Sequence, residues 1–222
     1  MTGTVGILGA GQLARMLAQA GKPLGLNFIF LDPAEDACAA EYGEHICAAW
    51  DDEAALRELG RRSDVVTFDF ENVPEASASL IESLCPVYPP PRALYKSQDR
   101  LREKTMMQDL GIPVAPFHAV SSRPELKAAV EQIGLPCVLK TRRFGYDGKG
   151  QAVLRFEEDL ERVWQDLGDS DLICEGFVPF DAECSIIAAR GLDGRTVYWP
   201  LTRNLHRDGV LAASVAPFFD TA

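Results

Sequence analysis

Short apolar runs alternate along the chain with stretches in which apolar positions recur every three or four residues. Val5 to Leu8 is such a run, Gly9-Ala10-Gly11 breaks it, and Gln12 to Ala20 then carries Leu13, Met16, Leu17 and Ala20 at helical spacing. The pattern predicts a strand, a tight turn and a helix. Asn27 to Leu31 predicts a second buried strand closed by Asp32-Pro33. Asp64 to Phe70 predicts another, after a helical stretch over Asp52 to Gly60. Strands alternating with helices imply a parallel sheet covered on both faces.

The texture changes at Cys85-Pro86-Val87-Tyr88-Pro89-Pro90-Pro91, where prolines stop any helix and stiffen the backbone, so the domain boundary is expected there, dividing 1–90 from 91–222. A helix is predicted from about Ala93 to Leu110, stopped by Gly111 and Pro113, and another around Pro124 to Ile133. Strands are predicted over Cys137 to Lys140, Gln151 to Phe156, Leu172 to Cys174 and Glu183 to Arg190. Two hairpin-type turns, Asp193-Gly194 and Asp208-Gly209, bracket a further strand near Thr196 to Leu201. The second half thus reads as α+β with antiparallel ribbons.

A chain of 222 residues with 47% apolar content can bury an ordinary core. Its formal charge of −11 argues against a general nucleic-acid binder, because a phosphate lattice would meet net repulsion. Two islands are basic nonetheless. Arg92, Lys96, Arg100, Arg102 and Lys104 face only Asp99 and Glu103 in sequence; Lys140, Arg142, Arg143, Lys149 and Arg155 face Asp147. Such islands suit a small polyanion, and equally suit a solvated charged face. Six cysteines without CxxC spacing point to reduced thiols. With neither a signal-peptide pattern nor an apolar run of spanning length, a soluble cytoplasmic protein without membrane contact is expected.

Two glycine loops carry candidate chemistry. Gly9-x-Gly11-x-x-Ala14 follows a strand and opens a helix, and Asp32 ends the next strand, which matches the dinucleotide fingerprint. Small residues there would let backbone amides approach a phosphate at a positive helix end. Taken alone, the motif points to an NAD-binding oxidoreductase, although any tight strand-to-helix turn can use it. The second loop is richer. Lys140 ends an apolar strand, so its stem can pack while its ammonium meets a phosphate oxygen, and Gly145, Gly148 and Gly150 give the following loop a flap-like freedom. The Walker order is absent. A flexible hairpin with a solvated lysine is the bland alternative.

Around the second loop the chain resembles the ATP-grasp superfamily, in Lys140, the flap Gly145 to Gln151, Glu175 closing a strand, Glu183 soon after, and Lys96-Ser97-Gln98-Asp99-Arg100 leading to Gly111-Ile112-Pro113-Val114. Four segments narrow the resemblance to the 5-(carboxyamino)imidazole ribonucleotide synthetase family. They are Gly9 to Met16, Phe70-Glu71-Asn72-Val73-Pro74, Phe144 to Gln151, and Pro200 to Gly209. The resemblance implies an α/β chain with a Rossmann-like pre-ATP-grasp domain followed by an incomplete α+β ATP-grasp domain.

It further implies an ATP-dependent carbon-nitrogen ligase that joins bicarbonate to the amine of 5-aminoimidazole ribonucleotide through carboxyphosphate, in purine biosynthesis. By similarity, Arg100 and Lys140 contact ATP phosphates, covered by the flap residues Gly145, Tyr146, Asp147, Gly148, Lys149, Gly150 and Gln151. Glu175, Gly176, Phe177 and Val178 resemble the hinge that meets the adenine edge, Glu183 the carboxylate on the ribose hydroxyls, and His206 a group near the phosphates. Tyr146 and Asp147, with Lys140, are the catalytic candidates, facing bicarbonate and the substrate amine; Gln12 and Glu71 would border the ribonucleotide. For His206 the bland alternative is a satisfied loop histidine, and for Glu71 a carboxylate capping a turn at Asn72. A homodimer is implied. The family's Mg2+ ligands are expected beyond residue 222, so the chain alone is expected to bind ATP without turnover and to expose an unfinished sheet prone to self-association. A formate-dependent glycinamide ribonucleotide transformylase would share the ATP residues and differ in the substrate pocket.

Overall fold

Four short strands of the first half pair side by side in one direction. They are β1 (Thr4–Leu8), β2 (Asn27–Asp32), β3 (Glu44–Cys47) and β4 (Val65–Phe68), in spatial order β3-β2-β1-β4. The structure is a computed structural model describing residues 3–145, 149–207 and 209–219, and the chain divides into two units, 1–110 and 111–222. In the first unit the helices are α1 (Gln12–Gly21), α2 (Glu53–Arg62), α3 (Glu75–Glu82), α4 (Pro91–Ser97) and α5 (Arg100–Asp109). The period-two alternation of the strands sorts the core. Ile7, Phe28 and Phe30 cluster with Ala14 and Ala18 of α1, while Leu8, Ile29, Leu31 and Val66 cluster with Leu56 and Leu59 of α2 and Ile81 of α3.

Helix α1 forms where the pattern places it, yet it turns the other way. Leu13, Met16 and Leu17 are 59%, 54% and 47% exposed, and the stripe against the sheet is Ala14, Ala18 and Gly21. Close approach explains this choice: a Cβ on Gly21 would stand 2.4 Å from the Phe28 ring, so only small side chains fit between helix and sheet.

The helix expected over 93–110 is two helices, because Asp99 interrupts it. Its Oδ1 accepts from the backbone amides of Leu101 and Arg102 at 2.9 and 3.3 Å, which caps a new helix and leaves Arg100 as its first residue. The first unit therefore continues past the proline run to Leu110 and takes in both helices.

The second unit opens with β5 (Phe117–Val120), α6 (Arg123–Ile133), β6 (Cys137–Thr141), β7 (Gln151–Leu154), α7 (Asp159–Leu167) and β8 (Leu172–Gly176). These strands form an antiparallel sheet, β5-β8-β6-β7, with the two helices contributing to the core on one face through Leu126, Val130 and Val163. There follow β9 (Glu183–Ser185), β10 (Ala188–Arg190), β11 (Thr196–Tyr198), β12 (Thr202–Arg207) and β13 (Val210–Val215). The strand expected over 183–190 is split at Ile186-Ile187, since β9 pairs with β12 and β10 with β11. Gly194 and Gly209 adopt φ of +82° and +79°, as hairpin turns require, while Asp208 lies outside the described residues. Among the described residues no helix is long and apolar enough to cross a membrane.

Candidate functional site

In β6 and β8 alternate residues face opposite sides, and the register settles which side chains share a face. Val138 lies opposite Glu175 and Lys140 opposite Ile173, whereas Leu139 lies opposite Cys174. Cys137, Leu139, Leu172 and Cys174 therefore enter the helix-covered core, and Lys140 and Glu175 stand together on the other face. Lys140 Nζ approaches Glu175 Oε2 at 2.9 Å; the side chains are 25% and 7% exposed, so the lysine keeps partial access to solvent while the carboxylate is nearly enclosed. Behind them the Cys174 thiol, hydrogen-bonded to Cys137 and buried, is pushed up and stays protonated.

Beyond Lys140 the Thr141 amide donates to Gly150 O at 2.8 Å, which closes the base of the loop. Gly150 has φ of +70°, and a Cβ there would meet Thr141 Oγ1 at 2.7 Å, so the base demands glycine. Phe144 holds φ of +61° with the Arg143 guanidinium 5.1 Å from its ring centre. Of the expected flap, Gly145, Lys149, Gly150 and Gln151 are described, and the candidates Tyr146, Asp147 and Gly148 lie outside the described residues. In the segment expected to act as the hinge, the Gly176 and Phe177 amides donate to Pro116 O and Pro136 O at 2.8 and 3.3 Å, so those two N–H groups are committed to the fold. Val178 follows them and is half exposed.

Glu183 and His206 form a second pair on the β13-β12-β9 sheet. His206 Nδ1 is 2.6 Å from Glu183 Oε2, diagonally across the β9–β12 ladder beside a bulge at Leu205/His206. The three remaining candidates belong to the first unit. Arg100 begins α5, Gln12 is exposed at the start of α1, and Glu71 is exposed on the loop after β4, where Asn72 Nδ2 donates to its Oε1 at 3.4 Å. Among the described residues no group of three or more His, Cys, Asp or Glu gathers that could hold a metal ion.

The first glycine loop is built differently. Asp69 Oδ2 accepts from the amides of Gly11 and Ala14, both at 3.1 Å, and Asp32 accepts from Ala10 at 2.9 Å and Ala34 at 2.8 Å. Three of the amides around this helix start, those of Ala10, Gly11 and Ala14, are thus met by the protein's own carboxylates, and Asp32, the acid that would take a ribose hydroxyl, is holding backbone. Gly9 is glycine for this reason: its φ is +113° and a Cβ would lie 1.5 Å from Asp69 Oδ1. Asp69 escaped the sequence reading because it looked like one more residue of a strand. The signal that finds it is topological: β4 lies beside β1, so the residue after Phe68 reaches the turn after Leu8.

Residues 105–221 match the family described as ATP-grasp domain, and residues 1–98 match the family described as Ribonucleotide synthetase preATP-grasp domain. The chain is 51% identical over 212 residues to N5-carboxyaminoimidazole ribonucleotide synthase of Pseudomonas aeruginosa, a match covering 96% of this chain and 59% of that protein. Among solved structures, an ADP complex of N5-carboxyaminoimidazole ribonucleotide synthetase superposes with a TM-score of 0.95 at 36% identity, over 99% of this chain and 58% of the other. The synthetase from Thermus thermophilus gives 0.89 at 48% identity, over 96% and 57%. The chain spans less than two thirds of the length of the relatives it matches.

Proposed function

The chain belongs to the ATP-grasp family, and from that premise we propose that it serves the ATP-dependent joining of bicarbonate to 5-aminoimidazole ribonucleotide. The observation that carries this reading is the Lys140–Glu175 pair at the mouth of a glycine-rich flap. A partly exposed ammonium on a rigid strand is placed to neutralise charge on a phosphate, with Glu175 holding it until the nucleotide arrives. The hinge presents Val178 to the adenine edge, and Glu183, held by His206, accepts from the ribose hydroxyls. Arg100 supplies a further cation, and Gln12 and Glu71 face the ribonucleotide.

In this reaction a bicarbonate oxygen attacks the γ-phosphorus, the bond from phosphorus to the bridging oxygen breaks, and ADP leaves. The amine then attacks the carboxyl carbon of carboxyphosphate, the bond from that carbon to the phosphoryl oxygen breaks, and the departing phosphate takes up the amine proton. Closure of the flap keeps water from that intermediate. Tyr146 and Asp147 are proposed to face bicarbonate and the amine. Mg2+ would offset triphosphate charge when bound; among the described residues no group of three or more His, Cys, Asp or Glu gathers to hold it. A homodimer in a reducing cytoplasm completes the reading, in keeping with six free cysteines.

Thermal unfolding with candidate ligands tests the assignment, because a ligand of the folded state raises the midpoint. ADP and 5-aminoimidazole ribonucleotide should each protect the chain, while glycinamide ribonucleotide and NAD should leave the midpoint unchanged. Protection by NAD, or by glycinamide ribonucleotide in place of the imidazole, would overturn it.

A further inference from the structure

The helical pattern over 93–110 would permit one continuous helix, yet the chain breaks it at Gln98-Asp99 and buries both polar side chains, at 7% and 3% exposure. Buried polar groups at a break in a helix need partners, and these two find theirs on opposite sides. Gln98 Nε2 donates to Glu71 O at 2.8 Å and to Val73 O at 2.5 Å, reaching back more than twenty residues along the chain. An amide has two such donors, and both go to the loop that bears Glu71. Asp99, one residue later, caps α5 and so fixes the direction in which Arg100 leaves the backbone. The angle between α4 and α5 is held as well. The Arg102 guanidinium lies 4.0 Å from the Tyr95 ring centre and donates to Tyr95 O at 3.4 Å.

We propose that Gln98 and Asp99 form a joint that couples the ribonucleotide-side loop at Glu71 to the nucleotide-side cation Arg100, with Gln98 acting as a positioning residue. The inference rests on the functional reading above for which ligand each end meets. A shift of the Glu71 loop on binding its ligand pulls on the Gln98 amide. The adjoining Asp99 cap then moves the start of α5, and Arg100 moves with it. Coupling of this kind is reciprocal: whatever factor one ligand adds to the other's affinity is returned. A residue that merely filled space at position 98 would leave the two affinities independent.

Calorimetric titration of the 222-residue chain with ADP, in the presence and absence of saturating 5-aminoimidazole ribonucleotide, tests the joint. In the wild type each ligand should tighten the other by about fivefold or more. In Gln98→Met, which keeps the bulk and removes both donors, each ligand alone should bind within about threefold of wild type while the mutual effect drops below about twofold. Should that variant fail to fold, Asp99→Ala and Asp99→Ser carry the test from the other side. Loss of the cap in the alanine variant should abolish the mutual effect, and the serine cap should restore it. Two ligands that bind independently in the wild type, or a mutual effect that survives Gln98→Met or Asp99→Ala, would overturn the joint and leave the functional reading standing. Failure of both ligands to bind the wild type would overturn that reading, and the joint with it.

Discussion

The two glycine loops look alike in composition and differ in what already occupies them. At the first, Asp69 and Asp32 take up the amides of Gly11, Ala14 and Ala10, so the positive end of α1 is neutralised from within. At the second, a cation stands at the loop's mouth with a quarter of its side chain exposed, held by one carboxylate whose place the proposed phosphate would take. Glycine density reports only that the backbone must turn sharply or approach closely. Whether a phosphate is wanted there depends on which charges the fold has left to answer, and that is a tertiary fact.

Breaking the first loop should have the larger effect on stability. Gly9→Ala places a Cβ against Asp69 Oδ1 at a φ of +113°, so the cost should reach about 3 kcal/mol or more by denaturant titration. In an Asp69→Ala background, which lacks the colliding carboxylate together with its bonds to Gly11 and Ala14, Gly9→Ala should cost less than in the wild type, because only the backbone strain remains. An undiminished cost would mean that something other than Asp69 dictates glycine at that position. At the second loop, Lys140→Met should weaken ADP binding about tenfold or more, equivalent to roughly 1.4 kcal/mol. It should also cost about 2–3 kcal/mol in stability, because it takes a partner from the nearly enclosed Glu175 carboxylate, the loss being reduced by the partial exposure of the lysine side chain. Unchanged ADP affinity in this variant would remove Lys140 from the site.

The smallest effect is a pH dependence at the first loop. Burial holds the Asp69 carboxyl above its ordinary range, the Ala14 and Gly11 amides oppose that shift, and the Asp32 charge adds to it. The folded chain therefore takes up this proton more readily than the unfolded chain. The resulting stabilisation is complete below the ordinary carboxylate value and is lost as pH rises through the raised one. Asp69→Asn cannot titrate, so its stability relative to wild type should improve as pH rises from the ordinary carboxylate value through the raised one, and then level off. A flat difference across that window would show the carboxylate to be well solvated.

Much of this arrangement was legible in the sequence where the cause is local. The apolar runs gave β1, β2 and the central strands β6 and β8, and the alternation within β6 and β8 puts Lys140 and Glu175 on one face. What escaped was set by distant partners. Leu13, Met16 and Leu17 marked a helix, but the sheet accepted the small-residue stripe instead because Phe28 leaves no room for more. Asp99 read as one charge among a basic island until the fold showed it capping α5, and Gln98 gave no sign that its amide spans to Glu71 and Val73. The strands β12 and β13 went unread: β12 is mostly polar, and β13, although apolar in sequence, lies exposed along its whole length, so neither carries the alternation of a half-buried strand.

Backbone amide resonances followed while ADP is added to the 222-residue chain test the contrast between the two loops most directly. The expected result is a set of saturable shifts over residues 140–151 and 175–178, with the amides of residues 9–14 unmoved. Saturable shifts confined to residues 9–14, with Lys140 and its flap silent, would contradict it.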